Sequence, residues 1–120
     1  MAKSTNRYFQ FLGSSKKAQP SGRLWYPAAD VYQTHDGWVV KVELAGVSVE
    51  DIEIDIQENA LYIAGCRRDR SCAAGVSYQQ MEITYSSFEK TLRFPSPIDG
   101  ATLDHMFENG LLIIHLRKAK

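Results

Sequence analysis

Residues 51–65 read DIEIDIQENALYIAG, and their alternation decides the fold. Ile52, Ile54 and Ile56 take every second position, with Glu53, Asp55 and Gln57 between them, the period of a strand with one buried face. A helix would scatter the three isoleucines around its circumference. Glu58-Asn59 interrupts the run, which predicts a tight hairpin with Asn59 supplying the turn before ALYIAG returns as the next strand.

The same reading extends in both directions. Upstream, GWVVKVELAG (37–46) alternates, with Trp38, Val40, Val42 and Leu44 on one face and Val39, Lys41 and Glu43 on the other. Downstream, CRRDRSCAAGVSYQQ (66–80) is polar, small and too long for a tight hairpin; loops of that length in a compact domain are usually functional or disordered. MEITY (81–85) and FEKTLRFP (88–95) read as two extended pieces broken at Ser86-Ser87, the second stopped by Pro95 and Pro97. ATLDHMFENGLLIIHLRK (101–118) closes as a hairpin around Asn109-Gly110, where a type I′ turn finds its two positive-φ residues at least cost. Short runs, regular turn signals and no convincing helix predict an all-β chain, an antiparallel immunoglobulin-like β-sandwich of seven to eight strands.

A length of 120 residues suits one domain able to bury a core without metals or disulfides. Fourteen basic residues balance fourteen acidic ones, but unevenly. Residues 1–24 carry Lys3, Arg7, Lys16, Lys17 and Arg23 with no acid, and all fourteen acids lie in residues 25–120. This arm, disordered or partly ordered by expectation, combines turn formers with an aromatic cluster, Tyr8, Phe9, Phe11 and Leu12. Its charge can attract acidic surfaces, including the chain's own body. The arm has no apolar core of a secretory signal, although its basic, serine-containing composition also fits an organelle transit peptide. Cys66 and Cys72 lack partners at metal spacing, so neither zinc nor a disulfide framework is indicated, and a reduced, cytoplasmic setting is the expectation.

Catalysis requires a nucleophile with its base, paired carboxylates in a cleft, or metal ligands. His35, His105 and His115 have no ligand spacing, the serines sit in no elbow motif, and no phosphate loop is present. The expectation is a chain that is not an enzyme and needs no cofactor. Nucleic-acid binding by five arm charges, with no groove-reading element, would be weak and salt-sensitive.

Several segments, in order, carry a resemblance. Leu44 to Val47, Glu50-Asp51-Ile52, and Asn59, Leu61, Ile63 and Gly65 resemble the opening of the α-crystallin domain of small heat-shock proteins. Phe88, Lys90, Leu92, Phe94 and Pro95 resemble its Gly-x-Phe-x-Arg-x-Phe-x-Leu-Pro segment, and Asn109, Gly110 and Leu112 its Asn-Gly-x-Leu signature. Ala45, Ser86, Lys90 and His105 replace the family's proline, glycine, arginine and alanine. Lys90 lacks the planar fork of arginine, and His105 implies local repacking.

The resemblance implies a holdase that binds partly unfolded clients without ATP, a runner-up being a co-chaperone CS-like adaptor for one folded partner. It implies a domain over residues 25–120 and, for the bacterial and plant branch, a strand-exchange loop at 67–78 that crosses to a second copy. The implied dimer contacts are Asp30, Val31, Tyr32, Tyr78, Glu82 and Lys90; the alternative is a loose surface loop. Client or groove surface is expected from Tyr8, Phe9, Phe11, Leu12, Ile54, Ile56 and Met106, against the alternatives that the arm only packs oligomers and the isoleucines only pack the sandwich. Four residues follow Leu116, with no Ile-x-Ile tail, so the expected assembly is a dimer or a modest oligomer and not a tail-locked shell.

Overall fold

A computed structural model describes residues 24–71 and 73–118. Seven strands form among them: β1 (Ala29–Thr34), β2 (Gly37–Glu43), β3 (Ile52–Gln57), β4 (Ala60–Cys66), β5 (Ser87–Arg93), β6 (Thr102–Glu108) and β7 (Leu111–Arg117), with one 3-10 turn at Val49–Asp51 before β3. They make two antiparallel sheets, ordered β1-β2-β7-β6 and β3-β4-β5. The facing sides bury one cluster that includes Val40, Val42 and Leu44 from the first hairpin, Leu61 and Ile63 from β4, Phe88 from β5, and Leu112, Ile114 and Leu116 from β7. Ile52, Ile54 and Ile56 pack against that cluster half-buried, as an edge strand's inner face does.

One turn and one close approach hold the sandwich in register. Asn109 (φ 55°) and Gly110 (φ 78°) both adopt the left-handed conformation, so β6 and β7 are joined by two residues and Glu108 faces Leu111. Gly65 lies where a Cβ would strike the Asp51 carbonyl oxygen and the Phe88 ring, so β4 tolerates no side chain there.

Two expectations are corrected. The β3–β4 hairpin forms, but the left-handed residue is Glu58 (φ 56°) and not Asn59. Asn59 is committed elsewhere: its Nδ2 donates to the Phe94 carbonyl at 2.9 Å, and its own carbonyl accepts from the Phe94 amide at 2.8 Å. MEITY is not a strand. An extended segment becomes a strand only by pairing, and 81–85 pairs with no strand among the described residues. Val39, placed on the face opposite Val40, does point away from the core cluster and is buried there.

The long connection from β4 to β5 is rooted by Arg67. Its backbone amide donates to the Ser86 carbonyl at 2.9 Å, its Nε to the Thr84 carbonyl at 2.9 Å, and a terminal nitrogen to the Ala45 carbonyl at 3.0 Å. The guanidinium stacks 3.7 Å from the Trp25 ring centre, and burial pulls its pKa below the ordinary arginine value. Trp25 in turn sets its ring edge-on to Phe88, forms an isolated parallel bridge beside β5, and donates its amide to the Ser87 carbonyl at 2.9 Å. One side chain thus ties together the loop root, the β2–β3 corner and the start of the described chain.

Glu58→Gly should stabilise the fold by roughly 0.5–1 kcal/mol, because relief of the left-handed strain is partly offset by glycine's entropy, whereas Asn59→Ala should destabilise it by about 1–2 kcal/mol through the lost Phe94 tie. Urea unfolding midpoints check the opposite signs. Arg67→Lys keeps the charge but loses the stack and the forked contacts. It should cost roughly 1–3 kcal/mol and speed proteolytic cleavage within 68–80, read by mass spectrometry of native digests.

Candidate interaction surfaces

Each open sheet has two edges, and Trp25 shows which edges lie together. It sits just ahead of β1 and bridges to β5, so β1 and β5 share one flank, and β3 and β6 share the other.

On the β3–β6 flank, the inward positions of β6 are Leu103, His105 and Phe107, because these residues oppose Leu116, Ile114 and Leu112 of β7. Leu103 and Phe107 pack half-buried against the core cluster, as Ile54 and Ile56 do from β3. The result is an apolar seam between two sheet edges, with the exposed His105 on its β6 wall. Met106 has the opposite parity. It is 53% exposed on the outer face, in a shallow hollow with Tyr32, Val39, Asp104, Ile113 and Arg117. The structure therefore places Ile54 and Ile56 on the same flank as Leu103 and Phe107, with Met106 on the outer face. His105 stands in solvent, so the repacking expected of it is not needed.

On the β1–β5 flank, β1 pairs with β2 along one side only among the described residues, and Asp30, Val31 and Tyr32 are exposed along it. Its turn is pinned through Asp36: Thr34 Oγ1 donates to Asp36 Oδ1 at 2.8 Å, His115 Nε2 lies 3.3 Å from the same oxygen, and the Lys118 amide donates to the Asp36 carbonyl at 2.8 Å. The Thr34 hydroxyl, against a smaller opposing effect of burial, holds the Asp36 carboxyl below the usual carboxylate range. Arg117 joins Asp36 to Asp104 on β6. Lys90 is half-buried on β5, opposite Ile63 of β4.

Tyr78 and Glu82 lie in the connection between β4 and β5. The Tyr78 hydroxyl donates to Asp69 Oδ2 at 2.7 Å, which lowers that carboxyl's pKa. Arg70 and Arg68 both reach Asp51 Oδ2, at 2.6 and 3.5 Å. The apolar residues of the same segment are turned out: Val76 (55% exposed), Met81 (72%) and Ile83 (65%). Tyr8, Phe9, Phe11 and Leu12 lie outside the described residues, as does Cys72. Cys66 is buried, and burial pushes its thiol pKa up. Among the described residues no three metal-ligating side chains converge, and no helix is long and apolar enough to cross a membrane.

Comparison with known proteins agrees with this architecture. The chain is 33% identical over 113 residues to small heat shock protein C2 of Rickettsia felis, covering 94% of this chain and 71% of that one. It is 29% identical to a 22.7 kDa class IV heat shock protein of Pisum sativum over 86% of this chain, and spans about half of that relative's length, 53%. Heat shock protein 16.0 of Schizosaccharomyces pombe superposes with a TM-score of 0.72 at 30% identity, over 80% of this chain and 89% of that one. Bacterial and plant relatives thus both occur, and both are heat shock proteins by name. Residues 30–120 match the sequence profile of the Hsp20/alpha crystallin family, and the chain belongs to that family.

Proposed function

We propose that this chain is an ATP-independent holdase of the cytoplasm that binds partly unfolded proteins through apolar surface and works as a strand-exchanged homodimer or a modest assembly of such dimers. The observation that carries the binding role is the set of half-buried apolar positions on one flank, Ile54 and Ile56 of β3 and Leu103 and Phe107 of β6. Those side chains are wet enough to gain from a partner and fixed enough to hold one, and clients captured there lower the free concentration of aggregating chains by mass action. Family membership supports the chaperone role, and the aromatic cluster Tyr8, Phe9, Phe11 and Leu12 supplies a second apolar patch.

The dimer reading rests on a segment that lacks a strand to join. Val76, Tyr78, Met81 and Ile83 hold extended-type sequence with their side chains exposed, while β1 offers a sheet edge bearing Val31 and Tyr32. Crossing to a second copy gives each segment an edge to pair with. A reciprocal exchange of this kind is isologous and removes two open edges at once. Asp30, Val31, Tyr32, Tyr78, Glu82 and Lys90 are the residues we assign to that contact, with Lys90 acting as a point charge and not a bidentate clamp. Nothing in the assignment requires nucleic acid or a membrane as partner.

Light scattering of two unrelated heated clients should fall in proportion to added protein, without nucleotide, and approach full suppression near equal mass. Suppression of neither client would refute the holdase reading and favour an adaptor for one folded protein. Ile54→Asp combined with Phe107→Asp should weaken suppression several-fold. Replacing residues 67–78 by a short Gly-Ser turn should leave the far-ultraviolet spectrum of a β-sandwich and reduce the native mass to that of one chain; an unchanged mass would dispose of the exchange.

A further inference from the structure

From Arg70 to Ile83 every described residue of the connection between β4 and β5 is exposed. Thr84 and Tyr85 are half-buried, and Ser86, Ser87 and Phe88 are buried. The boundary between held and free chain therefore falls where Arg67 bridges the two ends of the connection, with its amide on the Ser86 carbonyl and its Nε on the Thr84 carbonyl. A half-buried guanidinium gives up hydration and needs compensation. Among the described residues Arg67 has no carboxylate partner: the Thr84 and Ala45 carbonyls accept from it, and the Trp25 ring covers one face at 3.7 Å. A hollow of about 670 Å³, with Ala45, Gly46, Thr84 and Tyr85 in its lining, gives the side chain room to swing out to water.

We propose that Trp25 gates this connection. With its ring seated, Arg67 stays clamped between Thr84 and Ala45 and the connection leaves the sandwich from a fixed root; with the ring withdrawn, the guanidinium hydrates, the root opens and residues 68–86 reach farther. The seat is built to open locally. Trp25 is held by one amide bond to the Ser87 carbonyl, an edge-on contact with Phe88 and the stack on Arg67. Its parallel bridge to β5 is isolated, and Pro27, where the next donor of such a ladder would stand, has no amide to extend it. Three modest contacts open by fluctuation well before the sandwich unfolds. Because loss of the stack and opening of the root are one event, the coupling runs both ways. Whatever loosens the root releases Trp25, and whatever withdraws Trp25 extends the reach of Val76, Met81 and Ile83, exposed apolar side chains of the connection. The gate belongs to a single chain and stands whether or not the connection crosses to a second copy or the chain is a holdase.

Native chymotryptic cleavage of the full chain after Tyr78, followed by mass spectrometry, reads the connection. Trp25→Leu should speed that cleavage roughly tenfold, with Trp25→Tyr, which keeps a ring for Arg67, in between. Cleavage after Leu116 in β7 should not change. An equal acceleration there marks loosening of the whole sandwich and overturns the proposal, as does an unchanged rate after Tyr78 in folded Trp25→Leu. In the reverse direction, Trp38→Phe leaves Trp25 as the sole tryptophan, and adding Arg67→Lys should shift its emission to the red and raise its quenching by acrylamide; unaltered emission would sink the reciprocal link and the gate with it. Trp25→Leu combined with Arg67→Lys should cleave no faster than the faster single variant, because both remove the same stack. Effects that multiply would mean two independent roles and no gate.

Discussion

An open β-sheet ends in two edges whose outward amide and carbonyl groups have no partner, and two open sheets stacked face to face leave four such edges. That constraint organises this molecule. The core is closed by ordinary burial of alternating aliphatic side chains, but closing the core does nothing for the edges. Natural sheets shield edges with charge, short strands, covering segments or exchange. Here β3 and β6 leave an apolar seam on one flank, β1 presents exposed Val31 and Tyr32 on the other, and β5 is covered at its start by Trp25. Apolar surface that a monomeric enzyme would hide is therefore built into the architecture.

Periodicity made most of the sandwich legible. Ile52, Ile54 and Ile56 face the core, the Asn109-Gly110 turn forms with both residues left-handed, and Trp38 to Leu44 alternate as their order requires. Where the reading failed, a long-range partner had overruled a local signal. Asn59 is the better turn former, yet Phe94, far along the chain, claims both its side chain and its carbonyl, so Glu58 takes the strained conformation. MEITY has the composition of a strand and pairs with none among the described residues, a property of topology that no window of sequence contains.

The groove residues are an instructive case, because the missing information was present. A two-residue turn at Asn109-Gly110 fixes Glu108 opposite Leu111, and counting back from there puts Phe107, His105 and Leu103 on the side of Leu112, Ile114 and Leu116. Met106 falls on the other side by the same count. Parity carried through the hairpin names the β6 wall of the seam; resemblance to family motifs, which aligns positions without their facing, does not. Burial on the far side of β3-β4-β5 had no such signal, since small residues such as Ala64 and Cys66 read the same whether they are covered or bare.

The anchoring of Trp25 also has a mechanical meaning. Because Trp25 runs parallel to β5, holds the Ser87 carbonyl, abuts Phe88 and is clasped by Arg67, a pull on the N-terminal segment loads that cluster in shear, with several contacts sharing the force. The pull does not reach β1 as a peeling force, which would break its ladder to β2 one rung at a time. A force applied ahead of Trp25 is therefore borne by this cluster while the sandwich stays intact, in the way a strain-relief fitting protects the joint behind a cable.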